Sequence, residues 1–377
     1  MMSSAPKILL LGDYSNCHRT LATGLRRLGC DVTQASAGCS WMNIDRQVDI
    51  SRRPGKLGGM RLYGRLLWGD LRHLLRGFDI VALHDLNFVE LRPERLRPLF
   101  RRLKERNGGV FLTAMSTDIA FLDMLEAADS PLRYSEWFVD GRPARHMLAN
   151  RHEWDAWHRE PLAGYQREVL DSLDGAVSVL YEYHLAMARA LGDDRAAYGG
   201  IPVDTSLFDP VTLPDRPEKV KLFLGRDRNR KLLKGSDLLE TAAERVVREL
   251  DGRAELVIVE NRPYAEFVEL LKGAHVVLDQ IYSYTPATTA LMAMAYGLNA
   301  VSGAEPEFYD FIGEHDNRPV INAPIELDEL TETLRRVVLD PESIAERGRR
   351  SREFVMKHND VDVVARRFLD FWLSKTR

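Results

Sequence analysis

Two apolar runs of the same form, Lys7-Ile-Leu-Leu-Leu-Gly12 and Val220-Lys-Leu-Phe-Leu-Gly225, decide the fold class of this chain. Each run ends at a glycine and is followed by a polar loop and then by apolar residues at helical spacing. A short, unbroken apolar run is typical of a strand that is buried on both faces of a parallel sheet. The sequence therefore predicts two α/β units, which begin roughly two hundred residues apart.

Further apolar runs alternate with helical stretches in both halves, as in a Rossmann-like unit. We expect strands at residues 30–33, 79–83, 110–113, 175–180, 256–259, 275–278 and 299–302. The stretch 198–217 is rich in glycine and proline, which suits a connection between domains. We expect an N-terminal domain at 1–197, a linker at 198–218, a C-terminal domain at 219–358, and an amphipathic helix within 359–377 that crosses back to the N-terminal domain.

The composition excludes several classes of protein. The 377 residues are 45% hydrophobic and 29% charged, which is ordinary for globular domains and excludes a largely disordered chain. A formal net charge of −4 is too close to neutral for a dedicated nucleic-acid binder, so we expect no nucleic-acid partner. Three cysteines without CxxC spacing favour a reducing cytoplasm over a disulfide framework or a thiolate zinc site. The start of the chain lacks a signal-peptide pattern, and no stretch approaches the ~20 apolar residues of a spanning helix.

One region of the first half is locally basic. Residues 52–106 carry fourteen Lys or Arg against six Asp or Glu, a net charge of +8 that leaves −12 for the remainder. These cations indicate either a solvated helical surface or a patch that meets anionic lipid headgroups or a phosphorylated acceptor. In the second case the protein would contact the inner face of the membrane from the cytoplasm.

The loop after the second apolar run has the charge of a phosphate site. From Arg226 to Gly235 it carries five cations, including Lys231 and Lys234, and one anion. Ligands of open α/β sheets bind beyond the carboxyl ends of the strands, where this loop is expected. A planar Arg fork and a compact Lys charge suit a diphosphate, although a charged surface loop would also explain the pattern.

A second segment could supply main-chain donors to the same phosphates. Thr285 is a favoured N-cap, Pro286 a favoured first helical residue, and Gly297 a favoured left-handed stop. The free amides of such a helix and the hydroxyls of Thr285, Thr288 and Thr289 would form an anion site. The competing interpretation is a buried core helix.

Taken together, the motifs resemble those of GT-B glycosyltransferases, specifically family 4. Gly200-Ile-Pro-Val-Asp-Thr-Ser-Leu-Phe208 is similar to the family's Pro-Asn-Gly-Val-Asp-x-x-x-Phe signature, and the Gly225-Arg226 pair, the Lys234-Gly235 pair and Ala293-Met-Ala-Tyr-Gly297 match further motifs. The resemblance covers nearly the whole chain. It implies an α/β fold with two Rossmann-like domains that face each other across a cleft, the donor in the second and the acceptor in the first.

The resemblance also implies which residues bind the donor. Arg226 and Lys234 would hold the diphosphate and act in catalysis, and the remaining donor-binding residues would be Gly225, Lys231, Glu260, Asn261, Tyr282, Tyr284, Thr285, Pro286, Ala287, Thr288, Thr289 and Glu305. The sequence departs from the family where its two glutamates, eight residues apart, should fall, because Tyr284 and Met292 stand there. The loop between Arg226 and Lys234 is also longer than is usual in the family.

The acceptor side is expected after the strands of the first half. By resemblance, the loop after the first strand and the strand ends would meet the acceptor through Gly12, Asp13, Ser15, Asn16 and His84. His18 and Asp118 are the candidate catalytic groups there, His18 as a polar or proton-accepting group and Asp118 as a partner of sugar hydroxyls. A lone histidine in a loop is also explained by simple solvation.

The resemblance implies a metal-independent transfer of a sugar, with retention, from a nucleotide-diphosphate donor to a glycan or lipid-linked acceptor in cell-surface polysaccharide synthesis. The nucleotide sugar would be a substrate, and neither a cofactor nor a metal is expected. Alternatives are a non-catalytic nucleotide-sugar or glycan-binding protein, a sugar-nucleotide epimerase, or a dinucleotide oxidoreductase. Against the last, no Gly-x-Gly-x-x-Gly follows either opening strand.

Overall fold

The computed structural model describes residues 5–38 and 46–376. The strands run as β1 (Lys7–Leu11), β2 (Asp31–Ser36), β3 (Val48–Asp49), β4 (Ile80–Leu83), β5 (Gly109–Ala114), β6 (Phe138–Val139), β7 (Arg142–Pro143), β8 (Gly175–Ser178), β9 (Ala196–Tyr198), β10 (Val220–Gly225), β11 (Ala254–Val259), β12 (Val276–Leu278), β13 (Asn299–Ser302) and β14 (Ile321–Asn322). The helices run as α1 (Cys17–Arg27), α2 (Gly55–Leu67), α3 (Pro93–Arg106), α4 (Ile119–Glu126), α5 (Arg145–Ala149), α6 (Arg151–Trp157), α7 (Leu162–Ser172), α8 (Tyr181–Leu191), α9 (Lys231–Lys234), α10 (Ser236–Glu249), α11 (Tyr264–Lys272), α12 (Thr288–Ala295), α13 (Pro306–Phe311), α14 (Leu327–Leu339), α15 (Ser343–His358) and α16 (Val361–Lys375).

The chain forms two compact units. The first unit takes its described residues from Met1–Ala127, Arg151–Asp204 and Val361–Arg377, and the second unit consists of Ala128–Asn150 and Thr205–Asp360. Each unit is built around a parallel sheet, in agreement with the Rossmann-like prediction. We call residues 128–150 the arm.

The sheet of the first unit has the order β3-β2-β1-β4-β5-β8-β9, and its strands are parallel. Leu9 of β1 lies opposite Thr33 on one side and Val81 on the other. The predicted apolar run is fully buried, since Ile8 to Leu11 are at most 1% exposed. The strand order reverses between β1 and β4, and such a switch point is where open α/β sheets place their ligand crevice.

The sheet of the second unit has the order β11-β10-β12-β13-β14 and is also parallel. Leu222 of β10 lies opposite Leu256 and Val276, and both Leu222 and Leu224 are fully buried. The order reverses between β10 and β12. The loops that follow these two strands carry Arg226 and Asp279, so this switch point holds the predicted donor residues.

The final helix, α16, packs on the first unit. Gly24 of α1 lets it approach closely, because a Cβ on Gly24 would lie 2.5 Å from the carbonyl oxygen of Val361. Trp372 of α16 is fully buried, and its ring centroid is 6.2 Å from that of Phe111 on β5. Arg27 supports the start of α16 from α1, with an ion pair of 3.4 Å to Asp362.

The division of the chain differs from the predicted boundaries at the arm. The predicted N-terminal domain includes residues 128–150, whereas the structure groups them with the second unit. The reason is a set of side-chain contacts: Arg133 and Tyr134 bind Glu305, and Arg145 pairs with Asp237. The change after Asp204 falls inside the predicted linker 198–218, and the change after Asp360 falls two residues after the predicted end of the C-terminal domain.

Among the described helices, none combines the length and the apolar composition that a membrane crossing requires. Cys17 and Cys30 are buried, and Cys39 lies outside the described residues.

Candidate active site

Arg226, the first cation after β10, is held between two carboxylates. Its guanidinium lies 2.7 Å from Glu240 and 2.7 Å from Glu260, and its hydrogen bond with Glu260 raises the pKa of Arg226. Arg228 lies 2.7 Å from the other oxygen of Glu260. Two guanidinium groups and two carboxylates therefore balance each other here, and a phosphate that bound Arg226 would have to compete with Glu240 and Glu260.

Lys234 lies at the switch point of the second sheet. It ends α9, and its Nζ is 3.4 Å from Oδ1 of Asp279, which follows β12 and is buried. Gly235 turns the chain after Lys234 with a φ of +67°, and a Cβ there would lie 2.3 Å from Cγ1 of Ile281. The main-chain carbonyl of Lys234 accepts the amide of Ile281 at 3.0 Å. Glycine is thus needed at 235 to bring Lys234 against the loop after β12.

The helix of the predicted anion site begins later than expected. We predicted Thr285 as N-cap and Pro286 as first helical residue, but α12 starts at Thr288, after an extended Ala287. The cause is a tight turn: the Ser283 hydroxyl donates to the carbonyl of Thr285 at 2.6 Å and accepts the Thr285 amide at 3.2 Å. Thr285 and Pro286 are buried, Thr289 is half-buried and Thr288 is exposed.

The predicted end of this helix is confirmed. Gly297 has a φ of +78°, and the amide of Leu298 donates to the carbonyl of Ala293 at 3.0 Å, as in a Schellman motif. The amides of the first turn of α12 have no acceptor within their own helix, which leaves them available to an anion.

Tyr284, which stands where the family's first glutamate is expected, is covered by the arm. It is 2% exposed, and its hydroxyl accepts the amide of Arg133 at 2.7 Å. The ring of Tyr134 lies 4.8 Å from the ring of Tyr284, and the Arg133 guanidinium lies over the same ring at 5.6 Å. Burial raises the pKa of Tyr284. The tyrosine is therefore a neutral contact for the arm rather than a replacement carboxylate.

Glu305 is engaged by the same segment. Its carboxylate accepts the hydroxyl of Tyr134 at 2.7 Å and the side-chain amide of Asn322 at 2.7 Å, and it pairs with Arg133. Arg133 also pairs with Glu307 at 2.8 Å. The contribution of Arg133 and Tyr134 could not be predicted from the sequence, because no local pattern indicates which unit a loop residue will contact.

The other predicted donor residues lie around these loops. Gly225 ends β10 and packs against Phe267, since a Cβ there would lie 2.9 Å from that ring. Half-buried Tyr282 borders Gly235. Lys231 opens α9 and Ala287 precedes α12, and Asn261 is exposed with a left-handed φ of +52°.

His18, a candidate catalytic residue of the first unit, is fully buried. Its Nδ1 is 2.8 Å from the carbonyl oxygen of Gly12, and its Nε2 is 2.8 Å from the hydroxyl of Thr113. A carbonyl only accepts, so Nδ1 carries the proton and Nε2 accepts from Thr113. Burial lowers the pKa of His18 to about 3. His18 is thus neutral and ties the loop after β1 to β5, and it would accept a substrate proton only by leaving Thr113.

The loop after β1 is shaped by residues with left-handed backbone. Ser15 and Asn16, both half-buried, have φ values of +50° and +66°, and a Cβ on Gly12 would lie 1.8 Å from Nδ1 of His84. Asp13 is buried and accepts the amides of His18 and Arg19 at 3.2 and 3.0 Å. Burial raises the pKa of Asp13 to about 6. Asp13 therefore satisfies the first amides of α1.

Polar side chains follow β4 and β5 at the same edge of the sheet. Asp118 is buried and caps α4, where its carboxylate accepts the amide of Phe121 at 3.0 Å. Burial raises the pKa of Asp118 to about 7 and lowers that of His84. Asp85 accepts the hydroxyl of Ser116 at 2.9 Å. The predicted acceptor residues thus lie at the ends of strands. Asp13, His18 and Asp118 make their hydrogen bonds within the protein and stabilise the loops there.

Several solved structures are similar to this chain over nearly its full length. They include sucrose-phosphate synthase from Thermosynechococcus elongatus, with a TM-score of 0.60, 14% identity and 98% of each chain covered. Alr3699/HepE of Anabaena, solved with UDP and glucose, has a TM-score of 0.59 and 13% identity over 98% of this chain and 100% of that one. The catalytic domain of starch synthase IV from Arabidopsis thaliana, bound to ADP and acarbose, has a TM-score of 0.61 and 11% identity over 99% of each chain.

The chain therefore has the GT-B fold, in which two Rossmann-like units follow one another. This confirms the fold that the motifs predicted. No protein-family model matches the sequence, and no curated protein sequence matches it either. In the part of the chain that is described, no group of three or more His, Cys, Asp or Glu side chains is arranged to hold a metal ion.

Proposed function

We propose that this chain is a glycosyltransferase that moves a hexosyl group from a nucleotide-diphosphate sugar to a glycan or lipid-linked acceptor. The GT-B fold supports the proposal, since solved proteins of this fold include complexes with UDP, UDP-glucose and ADP. The observation that carries it is the position of Lys234, which lies at the switch point of the second sheet against the loop that leads into α12.

The diphosphate would bind to Lys234 and to the first amides of α12. Both are donors at the carboxyl edge of one sheet, and the positive end of a helix dipole favours an anion. Among the described residues, Lys234 is paired with one carboxylate, that of Asp279 at 3.4 Å, whereas Arg226 has Glu240 and Glu260 at 2.7 Å each. We therefore assign the larger share of phosphate binding to Lys234 and a supporting role to Arg226.

Catalysis in this proposal is positioning plus electrostatic stabilisation. Lys234 and the amides of α12 neutralise the diphosphate as the bond between its oxygen and the sugar carbon breaks. The departing diphosphate oxygen takes the proton of the incoming hydroxyl, which bonds to the same face of the sugar, so the configuration is retained. The scheme supplies its counter-charge from the protein and uses no metal ion.

The acceptor would bind to the first unit, where α2 offers a surface for a lipid-linked substrate. Leu57, Met60 and Trp68 are 80%, 56% and 69% exposed. Exposed Lys56 and Arg61 lie on the same helix. Apolar side chains beside cations suit the interface of an anionic membrane. The proposal thus places the protein at the inner face of the membrane, in cell-surface polysaccharide synthesis.

Vesicle sedimentation tests this surface separately. Wild type should sediment with vesicles that contain phosphatidylglycerol and less with phosphatidylcholine alone, and a Leu57→Glu, Trp68→Glu double variant should lose most of the binding. Leu148→Glu on α5, where Leu148 is 73% exposed, is the matched control. Equal sedimentation of all three proteins would remove the membrane from the proposal.

Turnover is tested with a panel of UDP-, GDP- and ADP-sugars in the presence of EDTA, with slow hydrolysis as the readout. Lys234→Ala should lower kcat about a hundredfold, the usual loss when one donor to a developing anion is removed. The matched control is Lys219→Ala, which removes the same charge just before the amino end of β10. Wild-type turnover in an Arg226→Ala, Lys234→Ala double variant would refute the assignment.

A binding protein on the same fold is the second candidate. It is favoured by Tyr284 and Met292 at the family's glutamate positions and by the engagement of Glu305 with the arm. It predicts saturable binding of one nucleotide sugar without turnover, even with acceptor extract. An epimerase would instead isomerise the sugar without any acceptor.

A further inference from the structure

The first unit contains a pocket of about 210 Å3 that lies beside α1 and β2. It is lined by Arg19, Ala22, Arg26, Gln34, Arg46 and Gln47. Three of these six residues are arginines and none is acidic. Five of the six lining side chains carry N–H donors, and Ala22 is the exception.

Gln34 is the most informative lining residue. It is 4% exposed, and its side-chain carbonyl accepts the amide of Gln47 at 3.4 Å, which fixes the orientation of its amide group. Its Nε2 is buried, and among the described residues it has no hydrogen-bond partner. A buried donor without an acceptor is unfavourable, because it has lost its hydrogen bonds to water. Gln34 therefore lines the pocket and carries a buried donor that no described residue satisfies.

The positive charge of the arginines in the pocket lining is only partly neutralised by their neighbours. Arg26 donates to the carbonyl of Val32 at 2.9 Å and to the side chain of Gln47 at 3.3 Å, both of which are neutral groups. Arg46 pairs with Asp49 at 3.2 Å. Each guanidinium has five N–H groups, so these contacts leave donors for a further acceptor.

We propose that this pocket binds the phosphate group of a small ligand, either inorganic phosphate or a phosphate monoester. Phosphate oxygens accept and do not need to donate, which matches a lining of guanidinium groups and the Gln34 amide. The volume corresponds to about seven water molecules at ~30 Å3 each, below the ~300 Å3 at which pockets for larger ligands begin. The site is therefore distinct in size from a nucleotide-sugar site, and it does not rest on the proposed transferase function.

Calorimetric titration at constant ionic strength tests the proposal, with inorganic phosphate and glucose 6-phosphate as separate probes. Gln34→Glu keeps the oxygen that accepts from Gln47 but replaces the donor by an anionic oxygen, so binding should be lost. Arg26→Gln removes one charge and should weaken binding about tenfold. Arg101→Gln, an exposed position on α3 outside the pocket, makes the same charge change and should bind as wild type.

Saturable binding of either probe, weakened in Arg26→Gln and unchanged in Arg101→Gln, would support the site even if Gln34→Glu failed to fold. Tighter binding of glucose 6-phosphate than of phosphate would assign the site to a phosphorylated metabolite, and the reverse would assign it to free phosphate. An absence of saturable binding, or equal weakening in Arg26→Gln and Arg101→Gln, would overturn the proposal.

Discussion

Asp118 gives the most quantitative prediction, because burial raises its pKa from 3.8 to about 7. Between these values the folded protein holds a proton that the unfolded chain has released. The free energy of unfolding therefore falls as the pH rises from about 4 to about 7, and this contribution is fully present only below pH 4. A shift of about three pH units corresponds to about 4 kcal/mol at ~1.36 kcal/mol per unit.

The variant Asp118→Asn removes this titration and keeps the cap, since asparagine can also accept the amide of Phe121. Relative to wild type, the variant should gain up to about 4 kcal/mol as the pH rises from 4 to 7, with no further change above pH 7. Any change in the free energy of unfolding that the new amide group causes is the same at every pH. The pH-dependent part of the difference between the two proteins therefore comes from the carboxyl group.

The assay is urea unfolding at pH 4, 5, 6, 7 and 8 with tryptophan fluorescence. Of the described tryptophans, four lie in the first unit and Trp137 lies in the second, so the signal reports mainly on the unit that contains Asp118. Asp13→Asn is a graded comparison, because the pKa of Asp13 is raised only to about 6 and the gain should end there. Parallel stability curves for wild type and Asp118→Asn would refute the reasoning. Loss of turnover in a stable Asp118→Asn protein would instead support the predicted sugar contact.

Three further substitutions test the packing around the site. Gly235→Ala should lower thermal stability and raise KM for the donor, because its Cβ would meet Ile281 at 2.3 Å and its backbone is left-handed; normal KM and stability would contradict the close approach. Arg133→Ala should raise KM for the donor several-fold with little change in kcat, because it removes the contacts that hold the arm. Exposed Arg142→Ala on the same segment should leave KM unchanged, and an equal rise in KM in both variants would exclude a specific role for Arg133. Trp372→Ala should cost about 3–5 kcal/mol in urea unfolding, and a loss below ~1 kcal/mol would show that α16 is not part of the core of the first unit.

The alternation of strands and helices was predictable because it depends on local patterns. The apolar runs that end at Gly12 and Gly225 became β1 and β10. Buried parallel strands must be continuously apolar, so their sequence signal is strong. The C-terminal helix was visible for a similar reason, through one apolar face that had to be buried.

Tertiary contacts were not predictable from the same patterns. The arm was assigned to the wrong unit because the contacts of Arg133 with Glu305 and Glu307 join residues about 170 positions apart in the sequence. His18 was weighed as a solvated or reactive loop residue, but its partner Thr113 lies on β5 and buries it. The start of α12 was misplaced because the Ser283 turn competes with the capping pattern of Thr285.

Among the donor residues, the sequence predicted which cations lie at the site but not which carboxylates they pair with. Lys234 was predicted from charge and motif, and the structure brings it to Asp279 at the switch point of the second sheet. Arg226 was predicted in the same way, but its pairing with Glu240 and Glu260 could not be read from the sequence. A loop rich in cations indicates a phosphate site. Which of those cations can bind a phosphate depends on the carboxylates that the fold places beside them.

The central claim is that the second unit binds a nucleoside diphosphate through Lys234. Calorimetric titration of UDP, GDP and ADP with EDTA present, into wild type, Lys234→Ala and Lys219→Ala, tests it directly. We predict saturable binding of at least one nucleotide to wild type and Lys219→Ala, and binding at least tenfold weaker to Lys234→Ala. Equal affinity in all three proteins, or no binding to wild type, would contradict the account.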